Sequence, residues 1–214
     1  MTGKAAPEPA AGAPPQTRIQ KAKREAILEA GLTVFAEAGF PGATLDRIAT
    51  EAGLSKPNLL YYYPSKEAIY DALLQDLLQT WLDPLRDLDP KGEPVDEILA
   101  YVVRKLQMSR DYPRESRLFA NEILQGAPQI RPVLEGALRD LVDQTARVFD
   151  GWIAEGRLAP VDARHLLFSI WSLTQHYADF DVQVQAVLGG QDFDGAEAHL
   201  ETLFRRWLTP QRPS

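Results

Sequence analysis

The sequence predicts an all-α protein, a small three-helix unit at its N-terminal end followed by a larger helical domain. Three observations carry this expectation. Large apolar residues recur at the 3.6-residue helical period from Arg18 onward, and no segment sustains the period-2 alternation of a strand. Gly and Pro breakers then cut the chain into helix-length pieces. With 45% apolar and 25% charged residues, the 214-residue chain has the composition of a soluble globular protein, enough for one domain or two small ones.

Residues 1–16 hold four prolines, five alanines and no large apolar side chain beyond the initial Met1. Nothing there offsets the entropy of ordering, so a disordered tail is expected. From Arg18 to Ala38, Ile27, Leu28, Val34 and Phe35 mark an amphipathic helix that Gly39 stops. A second helix over 45–52 takes Thr44 as N-cap and ends at Gly53. Ser55 caps a third over 56–63, with Pro57 in the first turn, where a missing N–H costs little. A fourth starts at Ser65, runs through Leu73, Leu77 and Trp81, and ends near Pro84. Beyond the turn-rich residues 89–94, helices are expected at 95–110, 114–125, 131–155, 162–186 and 195–208. The expected division is a tail over 1–16, a three-helix unit over 17–64 and a larger domain over 65–214.

Charge and composition exclude several chemistries. The absence of cysteine removes disulfides, thiolate metal sites and cysteine nucleophiles. No apolar run approaches the ~18 residues of a membrane span, and the N-terminus lacks a signal-peptide core, so a cytoplasmic location and no membrane partner are expected. The formal net charge of −7 is uneven, +1 over residues 1–70 and −8 over the rest. Nucleic acid could therefore be met only through the first end. There is no Walker loop, no G-x-G-x-x-G and no G-x-S-x-G, so neither a catalytic residue nor a cofactor is expected. His176 and Asp179 stand three apart, but no third metal ligand accompanies them, and His165 and His199 are remote in sequence. No metal site is expected.

The segment Thr44–Tyr63, TLDRIATEAGLSKPNLLYYY, is the informative one. Ala49, Gly53 and Leu59 stand at relative spacings 0, 4 and 10. In a helix-turn-helix the first of these is small because two helices touch there. The second allows the tight turn, and the third is a core residue of the second helix. The exposed face of that second helix then carries Ser55, Lys56, Pro57, Asn58, Tyr61 and Tyr62, groups suited to phosphates or base edges in a major groove. Lys66 follows in the first turn of the next helix, where free backbone N–H groups and a lysine can hold a phosphate. The spacing alone also fits a plain helical corner of a bundle, as in an adaptor that never meets DNA.

The longer run GFPGATLDRIATEAGLSKPNLLYYYPSKEAIYDAL resembles the DNA-binding domain of the TetR family of bacterial transcriptional regulators. The resemblance covers nearly all of residues 20–75 and joins the glycine, small-residue, cap and tyrosine positions. It implies a homodimer, probing a palindrome-like operator in double-stranded DNA with two recognition helices, and a variable ligand-binding C-terminal domain. Thr44, Tyr62 and Lys66 would contact phosphates, and Arg18, Lys21 and Lys23 would add contacts to the DNA backbone or minor groove. The later segments Trp81–Leu85, Ser109–Pro113, Ser116–Phe119, Gly126–Pro128 and Ile170–Phe180 resemble a narrower, pyrimidine-responsive branch of that family. That likeness implies uracil or thymine as effector and control of pyrimidine metabolism.

Trp171 and Gln175 are four apart and share one helix face. A pyrimidine needs a flat apolar surface for stacking and an amide for its alternating C=O and N–H groups, which this pair supplies. Trp81 offers a second wall, and His176 a further donor. The same tryptophans would equally fill a core, with Gln175 bonded internally. For the dimer, Leu134, Leu138, Leu141, Thr145, Val148 and Trp152 form one stripe, and Leu166, Ile170, Leu173 and Tyr177 another. Some of that surface must face the core, and the family resemblance implies that two such helices from each subunit pair into a four-helix interface.

Overall fold

The computed structural model describes residues 18–211, so the expected tail over 1–16 lies outside the described residues. Among these residues all regular structure is helical. Helix α1 spans Arg18–Gly42, but Gly39, at φ 65° and ψ 172°, breaks it into a long helix and a short last turn, as the sequence expects. Ile27, Ala30, Val34 and Phe35 form its buried face. Gly31 lies where α1 crosses the fourth helix; a Cβ there would sit 2.8 Å from Ile69 Cγ2.

Helix α2 (Leu45–Glu51) is capped by Thr44, whose hydroxyl accepts from the Arg47 N–H at 3.2 Å. Gly53, at φ +67°, turns the chain, and the Leu54 N–H returns to the Ala49 carbonyl at 2.9 Å. Helix α3 (Lys56–Tyr62) leaves that turn with Leu59 fully buried against Ile48 and Ala49. A left-handed glycine between two short helices with small and apolar contact residues is the helix-turn-helix geometry. Helix α4 (Lys66–Arg86) is capped by Ser65 and ends close to Pro84 as expected, the proline lying within its last turn. Only the bond to the exposed Thr80 carbonyl is lost, while buried Leu82 and Leu85 hold the last turn against the core.

The chain breaks at Pro113 as expected, and both Pro94 and Pro113 sit in the first turn of the helix that follows: α5 spans Pro94–Asp111 and α6 spans Pro113–Leu124. The helix expected over 131–155 is interrupted. A short α7 (Arg131–Val133) passes through a π-helical turn at Leu134–Leu138 into α8 (Arg139–Ala154). The helix expected over 162–186 is two, α9 (Ala163–Asp179) and α10 (Asp181–Leu188), parted at Phe180. Both acids beside the break are held by α6: Asp179 accepts from the Ser116 hydroxyl, and Asp181 pairs with Arg117 at 3.5 Å. Helix α11 (Phe193–Leu208) closes the bundle.

Two apolar cores result. One gathers Ile27, Phe35, Ile48, Leu59, Ile69, Tyr70 and Leu74, together with Leu118 of α6 and Ile130. The other joins α5, α8, α9 and α11 through Ile98, Val102, Leu106, Phe149, Trp152, Leu167, Ile170 and Phe204. Leu77, Trp81 and Met108, with Phe119 against them, form a small cluster of their own. No helix among the described residues is long and apolar enough to cross a membrane.

Candidate nucleic-acid interface and ligand cavity

The second helix of the helix-turn-helix presents a polar, aromatic edge. Ser55, Lys56, Pro57 and Tyr61 are exposed, and Asn58 and Tyr62 are half-buried. Ser55 occupies the cap position of α3 but makes no side-chain cap bond, which leaves its hydroxyl free for a ligand. The Thr44 hydroxyl accepts from the Arg47 N–H and keeps its own proton to donate. Lys56 Nζ lies 2.9 Å from Asp46 Oδ2, an exposed pair worth little in water that a phosphate can displace. Tyr61 and Tyr62 meet edge to face, their rings 5.1 Å apart. Arg24 of α1 donates to the Tyr62 carbonyl at 3.1 Å and stacks over Tyr63 at 4.5 Å, fixing the end of α3.

Lys66 is placed differently from its expected role at a phosphate. Its Nζ turns inward and donates to the carbonyls of Phe40 and Ala43 at 2.8 and 3.0 Å, over the Phe40 ring. The broken end of α1 leaves those carbonyls without helical donors, and the lysine supplies them. Two of its three donors are spent inside the protein, where Lys66 clamps α4 to the α1–α2 connection.

Three of the four expected ligand residues converge. Trp81, Trp171 and Gln175 line one narrow cavity of about 50 Å³, closed further by Leu78, Leu82, Tyr101, Lys105, Phe119 and Leu138. Trp171 Nε1 donates to the Tyr101 hydroxyl at 2.7 Å, which locks the indole in place. Burial pushes the Tyr101 hydroxyl well above the usual tyrosine range. Leu138 reaches the cavity from the end of the π turn, a distortion that in other helices frequently marks functional sites. His176 does not line it: it is exposed and turned aside from the cavity, its ring stacked on Phe180 with centroids 5.0 Å apart. The reason is angular, since one residue beyond Gln175 a helix has turned by about 100°.

Sequence reasoning missed Lys105 and Phe119. Lys105 is 3% exposed, and burial drives its ammonium pKa down to about 8, against the opposing pull of Asp179. Nothing in the linear sequence distinguishes it from surface lysines, apart from its place among the apolar positions of α5. Phe119 lies 5.7 Å from the Trp81 ring. It shares α6 with Leu118, which sits in the helix-turn-helix core, and with Glu122. Buried Glu122 accepts from the Tyr70 hydroxyl at 3.0 Å and from the backbone N–H groups of Gln129 and Ile130. Thus α4 is joined by α6 as a second path from the cavity to the DNA-facing unit.

Half of the expected dimer stripe is internal, as expected for a surface that partly faces the core: Leu141, Thr145, Trp152, Leu166 and Ile170 are buried within one protomer, and Leu134, Leu138, Val148, Leu173 and Tyr177 are half-buried. Further outward apolar surface on α9, α10 and the residue between them is carried by Phe168, Phe180, Val182, Val187 and Leu188, each more than half exposed.

Comparison with known proteins agrees with this architecture. Residues 27–73 match the family described as bacterial regulatory proteins, tetR family, and residues 74–211 match the YcdC-like protein C-terminal region. The HTH-type transcriptional regulator RutR of Escherichia coli (strain K12) is 49% identical over 174 residues, 81% of this chain and 82% of the relative. Two solved structures share the fold. The ketosteroid transcriptional regulator KstR2 of Mycobacterium tuberculosis aligns with TM-score 0.72 at 20% identity, over 88% of this chain and 96% of that one. AibR, solved with isovaleryl coenzyme A and operator DNA, aligns with TM-score 0.68 at 17% identity, over 85% and 97%. With a helix-turn-helix built on Ala49, Gly53 and Leu59 and a likeness that runs through both halves, the chain belongs to the TetR family of DNA-binding transcriptional regulators.

Proposed function

We propose that this protein is a homodimeric, cytoplasmic repressor whose operator affinity answers to a flat, nearly neutral ring in the α4–α5–α9 cavity, uracil or thymine being the effector. Residues 17–64 serve as the DNA-reading unit and residues 65–214 as the ligand-binding and dimerisation domain. Control of pyrimidine metabolism follows from that effector, and the similarity to RutR supports it. The observation that carries the reading is the meeting of two tryptophans and an amide at one cavity beside helices rooted in the helix-turn-helix core. Indole faces stack on a flat ring, and the Gln175 amide pairs with an imide edge.

On the DNA side, Ser55, Lys56, Pro57 and Asn58 at the start of α3 meet base edges, while Thr44, Tyr61 and Tyr62 meet the backbone. Two copies related by a twofold place their α3 helices about 34–36 Å apart, one turn of duplex. The exposed apolar side chains of α9 and α10 supply the surface between copies. The cavity is narrow, so an occupant must displace its walls. Two of those walls, Trp81 on α4 and Phe119 on α6, sit on the helices that reach the DNA-facing core. An effector alters operator affinity only by preferring one of the two resulting shapes.

A mobility shift on duplexes selected from a random pool, repeated across salt concentrations, tests the reading. Specific binding at moderate salt, lost on adding uracil or thymine, is the expected result. Indifference to DNA sequence would instead favour the helical protein–protein adaptor.

A further inference from the structure

The Lys105 ammonium makes no ion pair or hydrogen bond among the described residues, although the residue is 3% exposed. Its Nζ lies over the Trp81 ring at 4.2 Å and forms part of the cavity wall. The acid that acts on it, Asp179, makes no direct contact with the ammonium and accepts instead from the Ser116 hydroxyl. A buried ammonium is costly unless it is paired and hydrogen-bonded, and one indole face compensates only a fraction of that cost. A methionine of similar length would serve the core better. Gln175, across the same cavity, contributes an amide with both donor and acceptor capacity.

We propose that Lys105 is the specificity-determining group of the cavity, donating to an acceptor oxygen of the effector, so that the site takes planar rings with a carbonyl or oxyanion on that edge and rejects rings that present an amino group there. The inference rests on the cavity being the effector site and deepens it. Trp81 then has two tasks, as a stacking wall and as the surface that holds the ammonium in position. Uracil meets the demand with carbonyl oxygens on both sides of its imide N–H. Cytosine places an N–H₂ donor where uracil has one of those carbonyls, so it confronts the ammonium with a donor.

The test uses full-length wild type, K105M and K105Q, with calorimetric titration of uracil and cytosine and a melting curve for each protein without ligand. Wild type should bind uracil in preference to cytosine. Both variants should bind uracil about tenfold to a hundredfold more weakly, the range of one charged hydrogen bond, and should lose most of the preference. Ligand-free K105M should melt at or above the wild-type temperature, because a costly unpaired charge has been removed. Uracil binding by the variants equal to wild type overturns the proposal. If wild type binds neither ring, the pyrimidine reading fails, and the melting curves alone decide on Lys105. A raised melting temperature in K105M then supports a group kept for a ligand, and a lowered one overturns that role.

Discussion

Asn58 and Lys66 divide two tasks of a DNA-reading unit, recognising bases and holding its own shape. Asn58 lies in the first turn of α3, next to the exposed Lys56 and Pro57. Asn58→Ala should lose about 1–3 kcal/mol of discrimination at one base pair, measured by competition between operator variants. Uniform weakening over all sequences would show a backbone contact instead. Lys66, bonded to the Phe40 and Ala43 carbonyls, should behave in the opposite way. Lys66→Ala should reduce stability by about 1–3 kcal/mol in denaturant titration and leave the salt slope of DNA binding unchanged. A flattened slope with unchanged stability would return Lys66 to a phosphate. The sequence placed this lysine correctly at the start of α4 but could not show its direction. That depends on carbonyls exposed by the Gly39 break, which lie 26 and 23 residues earlier.

Among the elements, α6 has the most to connect. Its Phe119 lies against Trp81, its Leu118 in the helix-turn-helix core, and its Glu122 binds Tyr70 of α4 and the turn before α7. That turn includes Ala127 at φ +56°, a conformation costly for alanine, which the Glu122 bonds to the Gln129 and Ile130 N–H groups help to hold. Glu122→Ala leaves a buried hydroxyl and two N–H groups unsatisfied and should cost about 3 kcal/mol or more, read from denaturant midpoints. A cost below about 1 kcal/mol would mean that water replaces the carboxylate and that α6 is not tied to α4 there. Helix caps and glycine stops were legible because Thr44, Gly53 and Ser65 act on their immediate neighbours. The break at Phe180 and the π turn at Leu134–Leu138 were not, because each depends on packing between elements distant in sequence. In the first case the tether is the grip of Ser116 and Arg117 on the acids beside Phe180.

For the whole molecule, a switch requires two copies, a cavity and a path between cavity and DNA. The apolar positions of α8 and α9 were correctly expected to be apolar, but a stripe cannot by itself tell core from interface, and Leu141, Trp152 and Ile170 went to the core. Phe168, 51% exposed on α9, is the better probe of the outward face. If the proposed dimer forms through this face, wild type should scatter light as a dimer at micromolar concentration and Phe168→Glu as a monomer, with tight operator binding lost, since each half-site alone is a weak contact. A dimer that survives this change would place the interface elsewhere. The cavity was legible in part. Trp171 and Gln175 share a face because they are four apart, and Trp81 joins them from another helix, whereas the neighbouring His176 points away.

Gln175 is the residue on which effector binding and core packing make opposite predictions. Calorimetry with uracil on Gln175→Ala and wild type, alongside operator affinity of both proteins without ligand, separates an effector contact from a core residue. The variant should lose uracil binding while its ligand-free operator affinity stays at the wild-type value. Uracil binding undiminished in the variant would contradict it, and would return Gln175 and the two tryptophans to the packing of the core.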